Sequence, residues 1–199
     1  MNLADRLRAI FDEGHGRELP DLLNDADFLD RKPRPAAVLV AVTDRPEPGA
    51  LLTRRPASMR DHAGQVAFPG GKLEPGEDAV DAALREAEEE LGIAPADVQV
   101  IGASDRYVTG TGFEITPVMG VVPADLPLRP DPREVESWFE VPLKQLFDRD
   151  NYRQDSAIWK GRERTYLEWR YEDYRIWGVT AAMIVNLSRR LELTERLGL

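Results

Sequence analysis

The stretch from Phe68 to Ile93, FPGGKLEPGEDAVDAALREAEEELGI, constrains the fold of this 199-residue chain more than any other. It opens with a glycine pair, and a second glycine turn leads into a segment of helical periodicity. Asp78, followed three residues later by Asp81, resembles a capping box, and Gly92 suits the left-handed position that ends a helix. The spacing therefore predicts a helix from Ala79 to Leu91 that lies between two tight turns.

The predicted helix carries an apolar stripe and an acidic flank. The residues of the stripe, expected to be buried, are Val80, Ala83, Leu84, Ala87 and Leu91. Glu86, Glu89 and Glu90 lie together on one flank, and Glu88 falls on the other side. Like charges four residues apart destabilise a helix by roughly 0.2–0.5 kcal/mol per pair, so something should offset the repulsion. A solvated acidic face softened by Arg85 and a site for a hard divalent cation both fit this pattern.

The order of fixed residues across the block distinguishes these two interpretations. It reads Gly71, five residues, Glu77, seven residues, and then Arg85-Glu86-Ala87-Glu88-Glu89-Glu90-Leu91-Gly92-Ile93. This order resembles the Nudix box of the Nudix hydrolase superfamily at every fixed position. The resemblance implies a loop-helix-loop that holds metal ions, Mg²⁺ or Mn²⁺, against a diphosphate.

Carried over by position, the resemblance also implies residue roles. The positions of the metal ligands correspond to Glu86, Glu89, Glu90 and the carbonyl of Gly70. Arg85 and Glu77 resemble the ion pair that fixes the loop to the helix. A base must remove the proton from the attacking water, and the candidates are Glu86 or a loop carboxylate such as Glu134 or Glu136.

A second informative stretch, Leu51 to Gly71, precedes and overlaps the box. Its arginines are Arg54, Arg55 and Arg60. Guanidinium groups bind phosphate bidentately, although strand-edge arginines would give the same pattern. The stretch resembles the signature of the coenzyme A pyrophosphatase branch of Nudix hydrolases, which implies substrate contacts at Arg55, Arg60 and Gly64. Pro56 departs from that signature, which has Ser or Ala there, and it stiffens the turn.

Matches to this branch continue to Ala181 and include the segment from Tyr107 to Phe113. Tyr107 and Phe113 flank a turn rich in glycine and threonine, so they are the aromatic candidates for substrate contact. Three tryptophans are expected to pack in the core: Trp159, Trp169 and Trp177. His15 is predicted at the surface, and His62 lies within the arginine signature, where it would support the phosphate loop.

Composition limits the partners of the chain. With 26 Lys and Arg against 36 Asp and Glu, the net charge is −10, which argues against a broad nucleic-acid surface. The absence of cysteine excludes disulfides and thiolate chemistry. No apolar run has signal-peptide or membrane-span length, so we expect a cytoplasmic location, a small nucleotide partner and no membrane partner. A homodimer is left open.

Apolar patterns elsewhere predict an α/β (α+β) fold. Residues 1–35 are interpreted as a helix and an extension packed on the domain, and 36–199 as the Nudix domain, with the box at 71–93. The predicted strands cover 36–42, 50–54, 98–101, 104–108, 113–122 and 138–141, followed by a hairpin of 152–159 with 165–171. A short helix is predicted after Pro142, and a last helix buries Val179, Met183, Leu187 and Leu191. Together these elements predict a Nudix-like α/β/α sandwich with a mixed central sheet flanked by helices.

The resemblance implies hydrolysis of coenzyme A or a short acyl derivative to 4′-phosphopantetheine and adenosine 3′,5′-bisphosphate. Two alternatives stay open: a Nudix pyrophosphatase for ADP-ribose, a dinucleotide or a nucleoside triphosphate, and a non-catalytic nucleotide-binding module. The intact carboxylate cluster argues against the module. Selection of coenzyme A requires a cation for its 3′-phosphate, and the hypothesis assigns this role to Arg55 or Arg60, with Arg162 and Arg164 as weaker candidates.

Overall fold

The computed structural model describes residues 2–29, 31–58, 62–159 and 161–198. In chain order its helices and strands are α1 (Leu3–His15), β1 (Arg34–Asp44), β2 (Gly49–Arg54), β3 (Val66–Ala67), β4 (Gly70–Lys72), α2 (Ala79–Leu91), β5 (Gln99–Ala103), β6 (Tyr107–Val108), β7 (Phe113–Pro123), β8 (Ser137–Pro142), α3 (Leu143–Leu146), β9 (Arg153–Trp159), β10 (Arg162–Tyr171), β11 (Tyr174–Trp177), α4 (Gly178–Leu191) and α5 (Leu193–Arg196). Short 3₁₀ turns lie at Ala26–Phe28, Pro95–Asp97 and Arg149–Asn151.

Strand β1 lies at the centre of an eight-stranded mixed sheet. Five of its strands follow one another in the order β3-β2-β1-β7-β5, and β4, β6 and β8 pair onto these strands. It runs parallel to β7 from the pair Arg34 and Phe113 to the pair Asp44 and Pro123, and antiparallel to β2 and β4. Strands β6 and β8 pair with β7 and β2. A second sheet has the order β11-β10-β9. The position of β1 explains its continuous apolar sequence, since a strand in the middle of a covered sheet is buried on both faces.

Alternate side chains of β1 enter two separate cores. Val38, Val40 and Val42 pack with α1 and α4, whereas Ala37 and Leu39 pack with α2. Helices therefore cover both faces of the sheet, and the predicted α/β/α sandwich is confirmed.

The bounds of α2 match the prediction, and both predicted caps are present. The side chain of Asp78 accepts hydrogen bonds from the backbone amides of Val80 and Asp81, at 2.8 and 2.9 Å. Gly92 has φ 71°, the left-handed conformation. The buried residues of α2 are Ala82, Ala83, Ala87, Glu90 and Leu91. The predicted stripe was therefore partly wrong: Val80 and Leu84 are only half-buried, while Ala82 and the carboxylate of Glu90 are buried.

Several strand boundaries differ from the prediction. β1 begins at Arg34, two residues early, and β5 extends to Ala103. β6 is confined to Tyr107–Val108 because Ser104 instead donates its amide to the carbonyl of Pro117, at 2.8 Å. β11 was not predicted, since its residues form a strand only by pairing with the long β10.

The N-terminal helix packs against the body of the protein through Leu7 and Phe11, which join the same core as α4. His15, at its end, stacks on Phe11 with ring centroids 3.9 Å apart, and its Nε2 lies 2.9 Å from the Ser104 hydroxyl. The prediction of a surface position for His15 was therefore wrong, because the ring fills the gap between α1 and the segment after β5. Within the described ranges, no helix combines the length and apolarity needed to cross a bilayer.

Candidate active site

A cleft of about 730 Å³ opens where β1, β4 and β7 begin, between the turn before α2 and the first residues of α4. The polar side chains that line it include Arg55, Lys72, Arg85, Glu86, Glu89 and Glu134. The apolar side chains that line it include Val38, Phe68, Phe113, Ile115, Val179 and Met183. The cleft can therefore accept a ligand with a charged part and an uncharged part.

Arg85 joins the loop of the box to its helix. Its Nε lies 2.7 Å from Glu77 Oε1 and its Nη2 lies 3.1 Å from Glu77 Oε2, so the pair is bidentate. Nη2 also donates to the carbonyl of Lys72, at 3.1 Å, and Nη1 donates to Glu86 Oε1, at 2.9 Å. The hydrogen bond from Arg85 lowers the pKa of Glu77, and Glu77 raises the pKa of Arg85. Both groups therefore stay charged and hold the loop against the helix.

Glu86 faces the glycine turn. A Cβ atom on Gly71 would overlap the Glu86 carboxylate, so glycine is required here for the carboxylate to lie against the backbone. Burial raises the pKa of Glu86, an effect that the ion pair with Arg85 opposes. The result is a half-buried carboxylate at the floor of the cleft.

Glu90 is the most buried carboxylate of the box, with 4% of its surface exposed. Desolvation, together with the negative charges of Glu134 and Glu86, raises its pKa to about 8. The charge of Arg55 and a backbone hydrogen bond from Gly70 oppose this shift. Glu90 forms no ion pair with any residue that the structure describes. It is therefore a buried acid with no cation within ion-pair distance among the described residues, although the charge of Arg55 acts on it from farther away.

The donor set fits a hard divalent ion, although the side chains are not arranged as a finished coordination sphere. Across the described part of the chain, no three carboxylate or imidazole groups converge closely enough to hold an ion. Glu86 is held by Arg85, and the side chain of Glu89 is 58% exposed. Carboxylate and carbonyl oxygens are the ligands that Mg²⁺ and Mn²⁺ prefer, and such an ion would stabilise the ionised form of Glu90, which burial disfavours.

The arginine signature contributes Arg55 to the cleft. Its Nε is buried without a hydrogen-bond partner among the described residues, and its backbone amide donates to the carbonyl of Gln65, at 2.9 Å. His62 also lines the cleft, with Nδ1 2.8 Å from Gln65 Oε1. Gly64, with φ 67°, has the left-handed conformation in the turn between His62 and Gln65, and it lies at the surface. Arg60 lies outside the described residues.

The two loop carboxylates have different surroundings. Glu134 lies in the cleft and acts electrostatically on Glu86 and Glu90. Glu136 lies outside the cleft wall, where its carboxylate is 2.8 Å from Arg54 Nε. Of the two candidates for the base, the structure brings only Glu134 to the other carboxylates.

Tyr107 is placed differently from the prediction. Its side chain is 3% exposed, and its hydroxyl donates to Asp25 Oδ2, at 3.0 Å. The expectation that it touches substrate is therefore corrected to a packing role, whereas Phe113 does line the cleft. Asp25, in a polar segment without periodicity, was missed because no local pattern marks it.

The weaker arginine candidates also lie away from the cleft. Arg164 forms a bidentate ion pair with Asp25, and Arg162 donates a hydrogen bond to the carbonyl of Asp27, at 3.0 Å. In contrast, Lys72, inside the box, lines the cleft and was not singled out by the sequence.

Similarity to known proteins identifies the family. Residues 32–160 match the NUDIX domain. The chain is 44% identical over 171 residues to NudL of Shigella flexneri, described as an uncharacterized Nudix hydrolase, across 83% of this chain and 88% of the relative. It is 45% identical over 160 residues to NudL of Escherichia coli K12, across 79% and 83% of the two chains.

Two solved structures share the fold. A Nudix hydrolase from M. smegmatis, RenU, superposes with a TM-score of 0.50 at 24% identity, over 59% of this chain and 76% of that one. A MutT/nudix family protein from Enterococcus faecalis gives a TM-score of 0.50 at 16% identity, over 98% and 70%. Together with the domain match, these similarities show that the chain belongs to the Nudix family and is a hydrolase of phosphoric anhydrides.

Proposed function

We propose that the chain hydrolyses the diphosphate bond of coenzyme A or a short acyl derivative. Water adds across the P–O–P bridge, giving 4′-phosphopantetheine and adenosine 3′,5′-bisphosphate. The observation that carries the proposal is the lining of the cleft, which combines carboxylates and arginines with apolar side chains. A diphosphate with an uncharged pantetheine arm combines charged and uncharged parts in the same way.

Nudix hydrolases generally use divalent metal ions, and in this proposal Glu86, Glu89, Glu90 and the Gly70 carbonyl would hold Mg²⁺ or Mn²⁺. When bound, the ion would neutralise charge on the diphosphate and lower the pKa of a water molecule bound to it.

The remaining tasks belong to the side chains of the cleft. Arg85 and Glu77 keep the loop and helix in register. Arg55, with its unpartnered Nε, is the cation best placed to bind diphosphate oxygens, and we retain Arg60 beside it as a prediction from the signature. Glu86 or Glu134 would take the proton from the attacking water.

The apolar side chains of the cleft would receive the pantetheine arm. Val179 and Met183, in the first turns of α4, line the cleft together with Ile115 of β7. A pantetheine chain lacks charge, so contact with these side chains removes apolar surface from water without leaving a charge unpaired.

A substrate panel tests the proposal. Turnover of coenzyme A, acetyl-coenzyme A, ADP-ribose, a diadenosine polyphosphate and a nucleoside triphosphate is measured with Mg²⁺ and with Mn²⁺, and products are identified by chromatography. The proposal predicts the highest kcat/KM for coenzyme A or its acetyl form. A higher kcat/KM for ADP-ribose or for either nucleotide would replace coenzyme A with that substrate.

Other expectations stay predictions: the division at residue 35, the cytoplasmic location and the lack of nucleic-acid and membrane partners. Whether the protein forms a homodimer is open. Gel filtration with light scattering measures the oligomeric state directly.

A further inference from the structure

The ring of Phe113, at the mouth of the cleft, has two cationic side chains beside it. The guanidinium carbon of Arg34 lies 4.6 Å from the ring centroid, and Nζ of Lys72 lies 6.0 Å from it. These distances are those of cation–π contacts. The three side chains come from three strands, β7, β1 and β4, so they form one cluster by tertiary structure and not by sequence proximity.

Strand register explains why they meet. Arg34 is the parallel partner of Phe113, and Ala36, two residues further along β1, is the antiparallel partner of Lys72. Residues two apart on a strand point to the same face, and so do direct cross-strand partners. Arg34, Phe113 and Lys72 therefore share one face of the sheet. Phe113, Lys72 and Ala36 line the cleft itself.

The two cations lack carboxylate partners. Among the described residues neither Arg34 nor Lys72 forms an ion pair, although the net charge of the chain is −10. The nearest carboxylate along β7, Glu114, is taken by Arg106 at 3.1 Å. Two unpaired cations flanking an aromatic ring in an acidic protein form a suitable surface for an anionic aromatic ligand.

Among the described residues, the other cations considered for the 3′-phosphate lie elsewhere or form other contacts. Arg55 lies at the carboxylate end, where its charge acts on Glu90. Arg162 and Arg164 are held by the segment around Asp25. Lys72, in contrast, lines the same cleft as Glu86 and Glu89. A group bound at Lys72 and a diphosphate bound at the carboxylates would therefore share one cleft.

We propose that Phe113, Arg34 and Lys72 form the subsite for a 3′-phosphorylated adenosine. The adenine stacks on Phe113 or on the Arg34 guanidinium, and the 3′-phosphate accepts charge-assisted hydrogen bonds from Lys72 and Arg34. This inference rests on the proposed function and adds to it the means by which the enzyme distinguishes coenzyme A from dephospho-coenzyme A. It also places the adenosine at the β4 and β7 side of the cleft.

The first test measures binding without turnover. Calorimetry gives the dissociation constants of adenosine 3′,5′-bisphosphate and of AMP for the wild type, Lys72→Met and Arg34→Met. The wild type should prefer the bisphosphate, and each substitution should reduce that preference by about 10-fold, the lower end expected for a lost charged hydrogen bond. Lys144→Met and Arg149→Met remove exposed cations outside the cleft and should leave the preference unchanged.

Phe113→Leu separates stacking from phosphate recognition. It should weaken both ligands to a similar extent, and Phe113→Tyr should restore binding of both. An unchanged preference in both the Lys72 and the Arg34 variants would overturn the proposal. So would a loss of preference in Arg60→Met alone, because the 3′-phosphate would then be bound by Arg60.

Turnover separates failure of the subsite from failure of the proposed reaction. The ratio of kcat/KM for coenzyme A to that for dephospho-coenzyme A should fall in the Lys72 and Arg34 variants as the binding preference does. If the bisphosphate preference depends on Lys72 and Arg34 but coenzyme A is not cleaved, the subsite stands and the reaction is wrong. If coenzyme A is cleaved and the ratio is unaffected, the reaction stands and the subsite is wrong.

Discussion

Two buried carboxylates, Asp25 and Glu90, have opposite surroundings. They are 6% and 4% exposed, so both have lost nearly all contact with water. Asp25 accepts hydrogen bonds from Nε and Nη2 of Arg164 and from the hydroxyl of Tyr107. Glu90 forms no ion pair with a described residue, and burial raises its pKa to about 8.

This difference distinguishes a buried carboxylate with a structural role from one with a functional role. A buried charge that the protein neutralises itself attaches one segment to another: Asp25 ties the N-terminal segment to β10 and β6. A buried charge without a cation costs folding free energy, and it is retained where a ligand supplies the opposite charge. By this argument Glu90 belongs to the site and Asp25 to the scaffold.

The largest expected effect concerns stability at Asp25. Asp25→Ala leaves the half-buried Arg164 guanidinium and the buried Tyr107 hydroxyl without their partner, so the free energy of unfolding should fall by about 3–5 kcal/mol. Urea denaturation measures it. Asp125→Ala, at an exposed position, is the matched control and should change stability by less than about 0.5 kcal/mol. A loss below about 1 kcal/mol at Asp25 would mean that the network contributes little.

The next effect concerns activity at Glu90. Glu90→Gln keeps the size of the side chain but removes the charge that a hard cation needs, so kcat should fall by about two orders of magnitude or more while the fold survives. Circular dichroism checks the fold. Glu88→Gln, on the exposed side of the same helix, should be nearly silent. Near wild-type turnover in a folded Glu90→Gln protein would remove Glu90 from the ion site.

Local sequence signals predicted the helix that carries the box carboxylates, and the misses elsewhere have a physical cause. The cap at Asp78, the left-handed Gly92 and the spacing of the box define α2 because each depends on residues within a few positions. Burial of Glu90 could not be read from periodicity, since it depends on how closely β4 and the loop around Glu134 approach the helix.

The contacts of the N-terminal segment and of Tyr107 also depend on tertiary structure, so the local sequence did not predict them. Asp25 meets Arg164 across 139 positions of the chain, and His15 meets Ser104 across 89. Tyr107 was assigned to the substrate because it flanks a glycine-rich turn, but its hydroxyl turns away from the cleft toward Asp25. Contacts between residues this far apart in the sequence are set by strand order and helix packing, so no local pattern reveals them.

A smaller effect concerns the stability of the metal-free protein and its dependence on pH. The folded Glu90 carboxyl, with a pKa near 8, keeps its proton where the unfolded one, near 4.5, has lost it. The folded state therefore binds more protons over this range, and stability should fall as pH rises from about 5 to 8.

Glu90→Gln removes this linkage. In EDTA at pH 8 the variant should be more stable than the wild type by about 2 kcal/mol, since each pKa unit corresponds to about 1.4 kcal/mol and the amide itself costs something to bury. Near pH 5, where little of this linkage remains, the variant should instead be the less stable of the two, because only the cost of burying the amide is left. Urea denaturation across this pH series is the measurement, with Glu88→Gln as control. Equal pH slopes for wild type and Glu90→Gln would show that Glu90 is not the titrating group.

We attribute the burial of Glu90 without an ion-pair partner among the described residues to a divalent ion, which would favour the ionised form of its carboxyl group. The most direct test compares the free energy of unfolding in EDTA and in Mg²⁺ for the wild type and for Glu90→Gln at pH 7.5. With Mg²⁺ at ten times its dissociation constant, the wild type should gain about 1.4 kcal/mol, and the variant should gain much less. An equal gain in both proteins would contradict the account, because the ion would then be held without the charge of Glu90.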